Sequence, residues 1–195
     1  MWQPRRGYRF GVEVYALAGF ALAGGAAVNA VDLGAGSGVV GLLLAVRRVQ
    51  VTAVEREPRW VALAKRSAEE SGLALEVIEE DVRSYSGGPF ALAVANPPWF
   101  SPEAPRSPDP WRASARTMLH GDQRDFVLAG LRLAPRLCMV TQPAREPELM
   151  LPGVYLRRRA EMGRKVLLVE LSREPGPVVE APLDVPRWIA EWRGG

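Results

Sequence analysis

Val31-Asp32-Leu33-Gly34-Ala35-Gly36-Ser37-Gly38 is the stretch of sequence that decides the fold. The apolar run 27–33 that leads into the glycines has the composition of a buried strand, and the apolar run 39–46 after them has that of a buried helix. Glycines let the backbone turn tightly between two such elements and approach a ligand closely. The stretch therefore predicts a strand, a tight turn and a helix that together bind a small molecule.

The details of this turn separate the classes of ligand that glycine-rich turns bind, which include nucleotides, flavins and S-adenosylmethionine. Its spacing is Gly-x-Gly-x-Gly, whereas dinucleotide-binding turns have Gly-x-Gly-x-x-Gly, and it has no Lys-Ser/Thr pair as in a phosphate-binding loop. Asp32 would repel a phosphate group but is compatible with the positively charged methionine part of S-adenosylmethionine. We predict S-adenosyl-L-methionine as the cofactor.

Two further acids follow predicted strands at the offsets that such a cofactor requires. Glu55 ends the second strand, about 20 residues beyond the turn, where an acid can bind both ribose hydroxyls. Asp81 follows the third strand, where it can accept from the adenine amino group, and Val82 can add a backbone contact. Either acid alone could be an ordinary solvated carboxylate at a strand end. Both together, after one glycine turn, favour the cofactor site.

Strands and helices alternate over the first half of the chain, which predicts a parallel, doubly wound sheet. Helices are predicted at 14–23, 39–46, 58–70 and 122–133, and strands at 27–33, 49–54, 75–78, 91–95, 137–141, 154–161 and 166–171. The proline-rich segments 97–110 and 173–186 are predicted to run over the surface. We expect one Rossmann-like α/β domain over 1–195. Its sheet would be mostly parallel and seven-stranded, with helices on both faces and an antiparallel C-terminal strand.

Asn96-Pro97-Pro98-Trp99 follows an apolar strand, and the carboxyl ends of parallel strands are where ligands bind. An amine conjugated to a ring is a poor nucleophile, and two acceptors on its N–H groups favour a pyramidal nitrogen aimed at the methyl group. The Asn96 side-chain carbonyl and the Pro97 backbone carbonyl can supply them, while the fixed φ of proline preorganises the loop. Trp99 offers a face for stacking. The alternative is a structural Pro-Pro loop with a packed tryptophan.

Composition limits the other chemistry that the chain can perform. Its 25 basic and 22 acidic residues give a formal charge of +3, which permits a polyanionic partner without requiring one. Cys138 and His120 are the only residues of their types, so an intrachain disulfide, a cysteine zinc cluster and a histidine-rich metal site are excluded. We therefore expect metal-free chemistry in a reducing cytoplasm.

The N-terminus imitates a signal peptide, because Arg5, Arg6 and Arg9 precede an apolar run at 14–30. Glycines break up this run, and cleavage near Ala30 would cut into the strand of the glycine motif. No later stretch approaches the length of a membrane span. We expect a cytoplasmic protein with no membrane partner.

The segments 8–21, 32–44, 53–68, 81–100 and 166–169 resemble the bacterial tRNA1(Val) (adenine-N6)-methyltransferases, a family within the S-adenosylmethionine-dependent amino-methyltransferases that carry an Asn-Pro-Pro-Tyr motif. The resemblance implies a class I methyltransferase fold and closure of the segment from Phe10 to Glu13 over the methionine end of the cofactor. Glu13 stands where the family usually has Asp, and Trp99 where it usually has Tyr. The predicted cofactor-binding residues are Phe10, Asp32, Gly34, Ala35, Gly36, Glu55, Arg56, Asp81, Val82 and Asn96; the predicted catalytic residues are Asn96, Pro97, Pro98 and Trp99.

RNA, most simply a tRNA, is the substrate that the resemblance implies. Candidate phosphate contacts are Arg5, Arg6, Arg9, Arg106, Arg112, Arg116, Arg157, Arg158, Arg159, Arg164 and Lys165. Each of these clusters could equally be a set of solvated surface charges. A guanine-N2 methyltransferase of ribosomal RNA, a glutamine methyltransferase acting on a protein, and an inactive cofactor-binding module are the alternatives. The oligomeric state stays open.

Overall fold

The computed structural model describes residues 10–98 and 122–192. Five α-helices and a 3₁₀-helix lie in these ranges: α1 Glu13–Ala23, α2 Val39–Val46, α3 Pro58–Ser71, α4 Gln123–Leu133, α5 Val185–Trp192 and the 3₁₀-helix Pro143–Leu149. The strands are β1 Asn29–Leu33, β2 Gln50–Glu55, β3 Leu75–Glu79, β4 Leu92–Ala95, β5 Arg136–Thr141, β6 Tyr155–Met162, β7 Val166–Ser172 and β8 Val179–Glu180. Most of the predicted loop 97–110 lies outside the described residues.

All eight strands form one sheet in the order β3-β2-β1-β4-β5-β7-β6-β8. Strands β1 to β5 are mutually parallel, and β7 runs antiparallel to both of its neighbours, β5 and β6. This confirms the mostly parallel sheet and its antiparallel C-terminal strand. The predicted number of seven strands was wrong by one, because β8 pairs with the open edge of β6 over two residues. The segment 173–186 is therefore not entirely a surface loop.

Helix α2 shows why the apolar run after the glycine turn has to be buried. Seven of its eight residues are buried, so the helix has no polar face to turn towards water. It packs with α1 on one face of the sheet, whereas α4 packs on the other face. Each face has its own apolar cluster, which is the two-sided arrangement that continuous apolar strands require.

The C-terminal end of α1 is fixed by two arginines from the sheet. Arg158 donates to the carbonyl of Phe20 at 3.2 Å, and Arg136 donates to the carbonyl of Ala21 at 3.1 Å. Glu170 accepts from Arg158 at 2.8 Å and from Arg136 at 3.5 Å. Cations at this end of a helix complement its dipole. Helix α1 is thus part of the core.

Helix α5 packs across α1 at Gly19. The indole of Trp188 occupies the space that a Cβ atom at this position would need. Gly19 therefore lets the C-terminal helix lie directly against the backbone of α1. In the ranges 10–98 and 122–192, no helix has both the length and the apolar character needed to cross a bilayer.

Glu170→Gln should destabilise the protein by about 3 kcal/mol, because it leaves two largely buried guanidinium groups without their shared carboxylate. The free energy of unfolding, taken from urea titrations, is the measurement. Glu148→Gln is the matched control: Glu148 pairs with Arg145 but its side chain is 45% exposed, against 10% for Glu170, so its loss should stay below about 1 kcal/mol. Equal losses would show that the Glu170 cluster does not hold α1.

Candidate active site

The glycine turn stands at the carboxyl end of β1 and is attached to the end of β2. The amides of Gly34 and Ala35 donate to the carbonyl of Val54 at 2.8 and 3.2 Å. Gly34, Gly36 and Gly38 all have positive φ, between 57° and 79°, which residues other than glycine rarely adopt. At Gly36 an added Cβ atom would meet nothing within 4 Å. The backbone is therefore open there to a ligand, as a cofactor cradle requires.

Asp32 is buried beneath this turn and is only 1% exposed. Its Oδ2 accepts from the amide of Gly41, in the first turn of α2, at 2.8 Å. Burial raises the pKa of Asp32 to about 7, although the hydrogen bond from Gly41 opposes the shift and the nearby Glu55 adds to it. Asp32 is therefore only partly ionised at neutral pH, and a cationic ligand beside it would favour the charged form.

Glu55 joins the glycine turn to the loop that follows β2. Its two oxygens accept from the amide of Gly36 at 2.8 Å and from the amide of Glu57 at 2.9 Å. Burial raises the pKa of Glu55, and the hydrogen bonds from these backbone amides oppose that shift. Each carboxylate oxygen has a second lone pair, so both can still accept from a pair of hydroxyls.

Asp81 lies at the same edge of the sheet, after β3. Arg83 donates to both of its oxygens, at 2.9 and 2.7 Å, and Arg56 donates to one of them at 3.2 Å. The hydrogen bonds and positive charge of Arg83 lower the pKa of Asp81 to about 2. Asp81 is therefore ionised at neutral pH and acts only as an acceptor. The structure brings Arg56 to this site as the partner of Asp81, with Val82 beside it.

Asn96 follows β4, which pairs with β1, so it lies at the edge that carries the glycine turn. The Oδ1 atom of its side chain is buried, and it has no hydrogen-bond partner among the residues that the structure describes. Leaving a buried carbonyl unpaired costs about 1–3 kcal/mol. Pro97 is buried and Pro98 half-buried beside it, whereas Trp99 lies outside the described residues. Asn96 Oδ1 is therefore a buried acceptor that can take a hydrogen bond from a bound molecule.

Comparisons with known proteins agree with this geometry. Residues 20–109 match the family described as the methyltransferase small domain. The chain is 30% identical over 171 residues to the tRNA1(Val) (adenine(37)-N6)-methyltransferase of Tolumonas auensis, covering 78% of this chain and 71% of the relative. The chain belongs to the methyltransferase small domain family. It is an S-adenosylmethionine-dependent methyltransferase, as the sequence predicted.

A second relative is named for a protein substrate instead of an RNA. The release factor glutamine methyltransferase of Deinococcus radiodurans is 30% identical over 167 residues, but the chain spans only 52% of its length. Among solved structures, magnesium protoporphyrin IX methyltransferase of Synechocystis with bound S-adenosylmethionine superimposes with a TM-score of 0.61 over 83% of this chain and 78% of that one, at 16% identity. That likeness confirms the predicted class I methyltransferase fold.

Gln123 and Thr141 form a polar pair within this methyltransferase that the sequence did not single out. Gln123 is 1% exposed and Thr141 is fully buried. The hydroxyl of Thr141 donates to Oε1 of Gln123 at 2.7 Å, and Nε2 of Gln123 has no partner in the described part of the chain. Gln123 begins α4, directly after the cap residue Asp122. A glutamine in a first helical turn is ordinarily exposed, so the sequence alone carried no signal for its burial.

All three arginines of the cluster 157–159, which were predicted to contact RNA, make hydrogen bonds within the fold. Arg158 holds the end of α1, Arg157 donates to the carbonyls of Glu174 and Pro175, and Arg159 donates to Glu146. The side chain of Arg158 is only 16% exposed, which leaves little of its surface for the predicted contact with RNA.

Other predicted phosphate contacts have different positions. Arg164 and Lys165 are exposed in the turn between β6 and β7. The remaining candidates, Arg5, Arg6, Arg9, Arg106, Arg112 and Arg116, lie outside the described residues. Within 10–98 and 122–192, no group of three or more metal-ligating side chains comes together.

Replacing the buried acid by Asp32→Asn should change how stability depends on pH. A carboxyl group whose pKa is raised from 3.8 to about 7 on folding stabilises the native state below pH 3.8, and this contribution is lost as the pH rises to about 7. The slope for one proton is about 1.4 kcal/mol per pH unit. The free energy of unfolding is measured by urea titration of the ligand-free protein at pH 5, 6, 7 and 8. Its value for the variant should increase relative to that for the wild type up to pH 7, and the difference should then stay constant. A difference that is constant with pH would contradict the assigned protonation.

Proposed function

We propose that this methyltransferase transfers the methyl group of S-adenosylmethionine to the exocyclic N6 amine of an adenine in a tRNA. The observation that carries the proposal is the buried, unpaired Oδ1 of Asn96 at the edge of the sheet where the glycine turn lies. An N–H group of the acceptor supplies the missing hydrogen bond. A tRNA substrate also places the reaction in the cytoplasm.

The reaction needs polarisation and alignment of the amine rather than a strong base. When bound, S-adenosylmethionine supplies an electrophilic methyl group. Asn96 Oδ1 and the Pro97 carbonyl accept from the two N–H groups, which localises the nitrogen lone pair and directs it at that methyl. Acceptors that are already in place act where charge develops and require no reorganisation. Trp99 stacks on the flat base, and Pro98 keeps the loop in position.

The residues near the glycine turn fit the rest of the cofactor. Gly34, Ala35 and Gly36 let it approach the backbone, and Asp32 faces its cationic methionine part. Glu55 accepts from the ribose hydroxyls, and Asp81, held by Arg56, accepts from the adenine amine with Val82 beside it. Phe10 belongs to the segment that closes over the methionine end. We also propose that residues 1–195 form one methyltransferase domain.

The amide of a protein glutamine is the second candidate acceptor, because a primary amide also has a delocalised nitrogen lone pair and two N–H groups. The likeness to a release factor glutamine methyltransferase favours it as the competing function. Guanine N2 in ribosomal RNA is the third. The relative that the chain covers to 71% is a tRNA adenine-N6 enzyme, which supports the first choice.

Product analysis separates these three acceptors. The protein is incubated with isotope-labelled S-adenosylmethionine and total RNA from a strain that lacks its gene, and the nucleosides are identified by mass spectrometry. We expect labelled N6-methyladenosine in the tRNA fraction. Labelled N2-methylguanosine in ribosomal RNA would replace the proposal by the third acceptor. Label that enters protein in a cell extract and survives nuclease treatment would replace it by the second.

Asn96→Ala should lower kcat by at least about 100-fold, because it removes one of the two acceptors that act on the amine. The dissociation constant for S-adenosylmethionine, measured by calorimetry, should change by less than about threefold, since the cofactor is held mainly by residues after β1, β2 and β3. Single-turnover rates with saturating cofactor give the comparison. A variant with near-normal turnover would refute the role assigned to Asn96.

A further inference from the structure

Gln123 presents a buried hydrogen-bond donor for which the described residues provide no acceptor. Thr141 donates to Oε1 of the amide at 2.7 Å, so one end of the side chain is fixed. Nε2, at the other end, is buried and has no partner among residues 10–98 and 122–192. A donor left in this state costs about 1–3 kcal/mol, whereas an apolar side chain of similar shape at this position would cost nothing of the kind.

The register of the sheet places this amide beside the acceptor loop. Strand β4 pairs with β5 in parallel, with Ala95 opposite Met139. Thr141 is two residues beyond Met139, as Pro97 is two residues beyond Ala95, and neighbouring strands lie about 4.8 Å apart. The amide that Thr141 holds is therefore at the same edge of the sheet as Asn96 and Pro97.

Helix α4, which begins with Gln123, also reaches the cofactor turn. Its residue Phe126 lies so close to Gly34 that a Cβ atom there would be 2.9 Å from the ring. The capping box of Asp122 and Asp125 fixes the first turn of this helix, with Asp122 accepting from Arg124 at 2.7 Å. Gln123 thus belongs to a helix that has a capped first turn and reaches the cofactor turn.

We propose that Nε2 of Gln123 donates a hydrogen bond to the ring nitrogen next to the amine that is methylated, and so selects the acceptor base. The inference rests on the proposed function. In adenine, the C6 amine is flanked by N1 and N7, both of which carry a lone pair and no hydrogen. Asn96 Oδ1 accepts from the amine while Gln123 donates to its neighbour, so the two unpaired amide atoms complement one edge of the base. Thr141 is a positioning residue that fixes which end of the Gln123 amide faces the base.

The test changes one ring atom in the RNA and two side chains in the enzyme. A tRNA carries 1-deazaadenine or 7-deazaadenine at its one target position, so that a C–H replaces N1 or N7. The wild-type enzyme should lose about 10- to 100-fold in kcat/KM on one of these two substrates relative to the natural tRNA, because a buried donor is left unpaired. The double variant Gln123→Leu/Thr141→Val should have the same kcat/KM on that deaza substrate and on the natural tRNA. This value should be close to that of the wild type on the deaza substrate.

Three controls make the outcome decisive. The double variant removes both members of a buried polar pair, so its urea midpoint should be no lower than that of the wild type, and its affinity for S-adenosylmethionine should be unchanged. Gln50→Leu, at an exposed position at the start of β2 on the opposite edge of the sheet, should keep the full discrimination. Wild-type enzyme that tolerates both deaza bases, or a double variant that still discriminates, would overturn the role of Gln123. A wild type that methylates no adenine in the natural tRNA would instead refute the proposed function, and with it this inference.

Discussion

Buried carboxylates bound by backbone amides are the constraint on which the rest of the site depends. Glu55 accepts from Gly36 and Glu57, and Asp32 accepts from Gly41. These contacts hold the ends of β1 and β2, the glycine turn and the first turn of α2 in one arrangement. Both acids have raised pKa values because they are withdrawn from water. A core built for stability alone would place apolar residues there; two acids beneath an open glycine turn are better explained by a cationic ligand with hydroxyl groups.

The strand order divides the chemistry between the two sides of β1. On one side, β2 and β3 end in Glu55 and Asp81, which suit the ribose and the adenine of the cofactor. On the other side, β4 and β5 end beside Asn96 and Thr141, where the base to be methylated would lie. The chain reverses direction across the sheet between these halves, and ligands of open α/β sheets bind at such a switch point. Under the proposed function, the methyl donor and the acceptor would meet at this switch point, between β1 and β4.

Sequence patterns predicted those helices whose ends are set by neighbouring residues in the chain. The bounds of α2 at 39–46 were predicted correctly because its apolar run ends at a glycine turn and at two arginines, and α3 begins at Pro58 because proline suits a first helical turn. Strand β8 and helix α5 were missed, since they depend on the open edge of β6 and on the gap at Gly19. The burial of Gln123 and the ion pairs of Arg158 are long-range contacts as well, and no spacing in the sequence reports them.

Several arginines of the described residues act as multiple donors within the fold, which changes how the basic composition relates to RNA. Arg132 donates to the carbonyls of Tyr85 and Val82 at 2.7 and 3.2 Å, and so ties α4 to the loop that carries Asp81. Arg136 and Arg158 do the same for the end of α1. A lysine could not replace them, because a single ammonium group lacks the planar fork that reaches two acceptors in fixed directions. In the described residues, these three arginines thus connect helices and loops to one another and to the sheet. Among the predicted contacts in the described residues, only Arg164 and Lys165 stay exposed, so within these ranges the turn between β6 and β7 is the part of the predicted RNA surface that is open to a phosphate group.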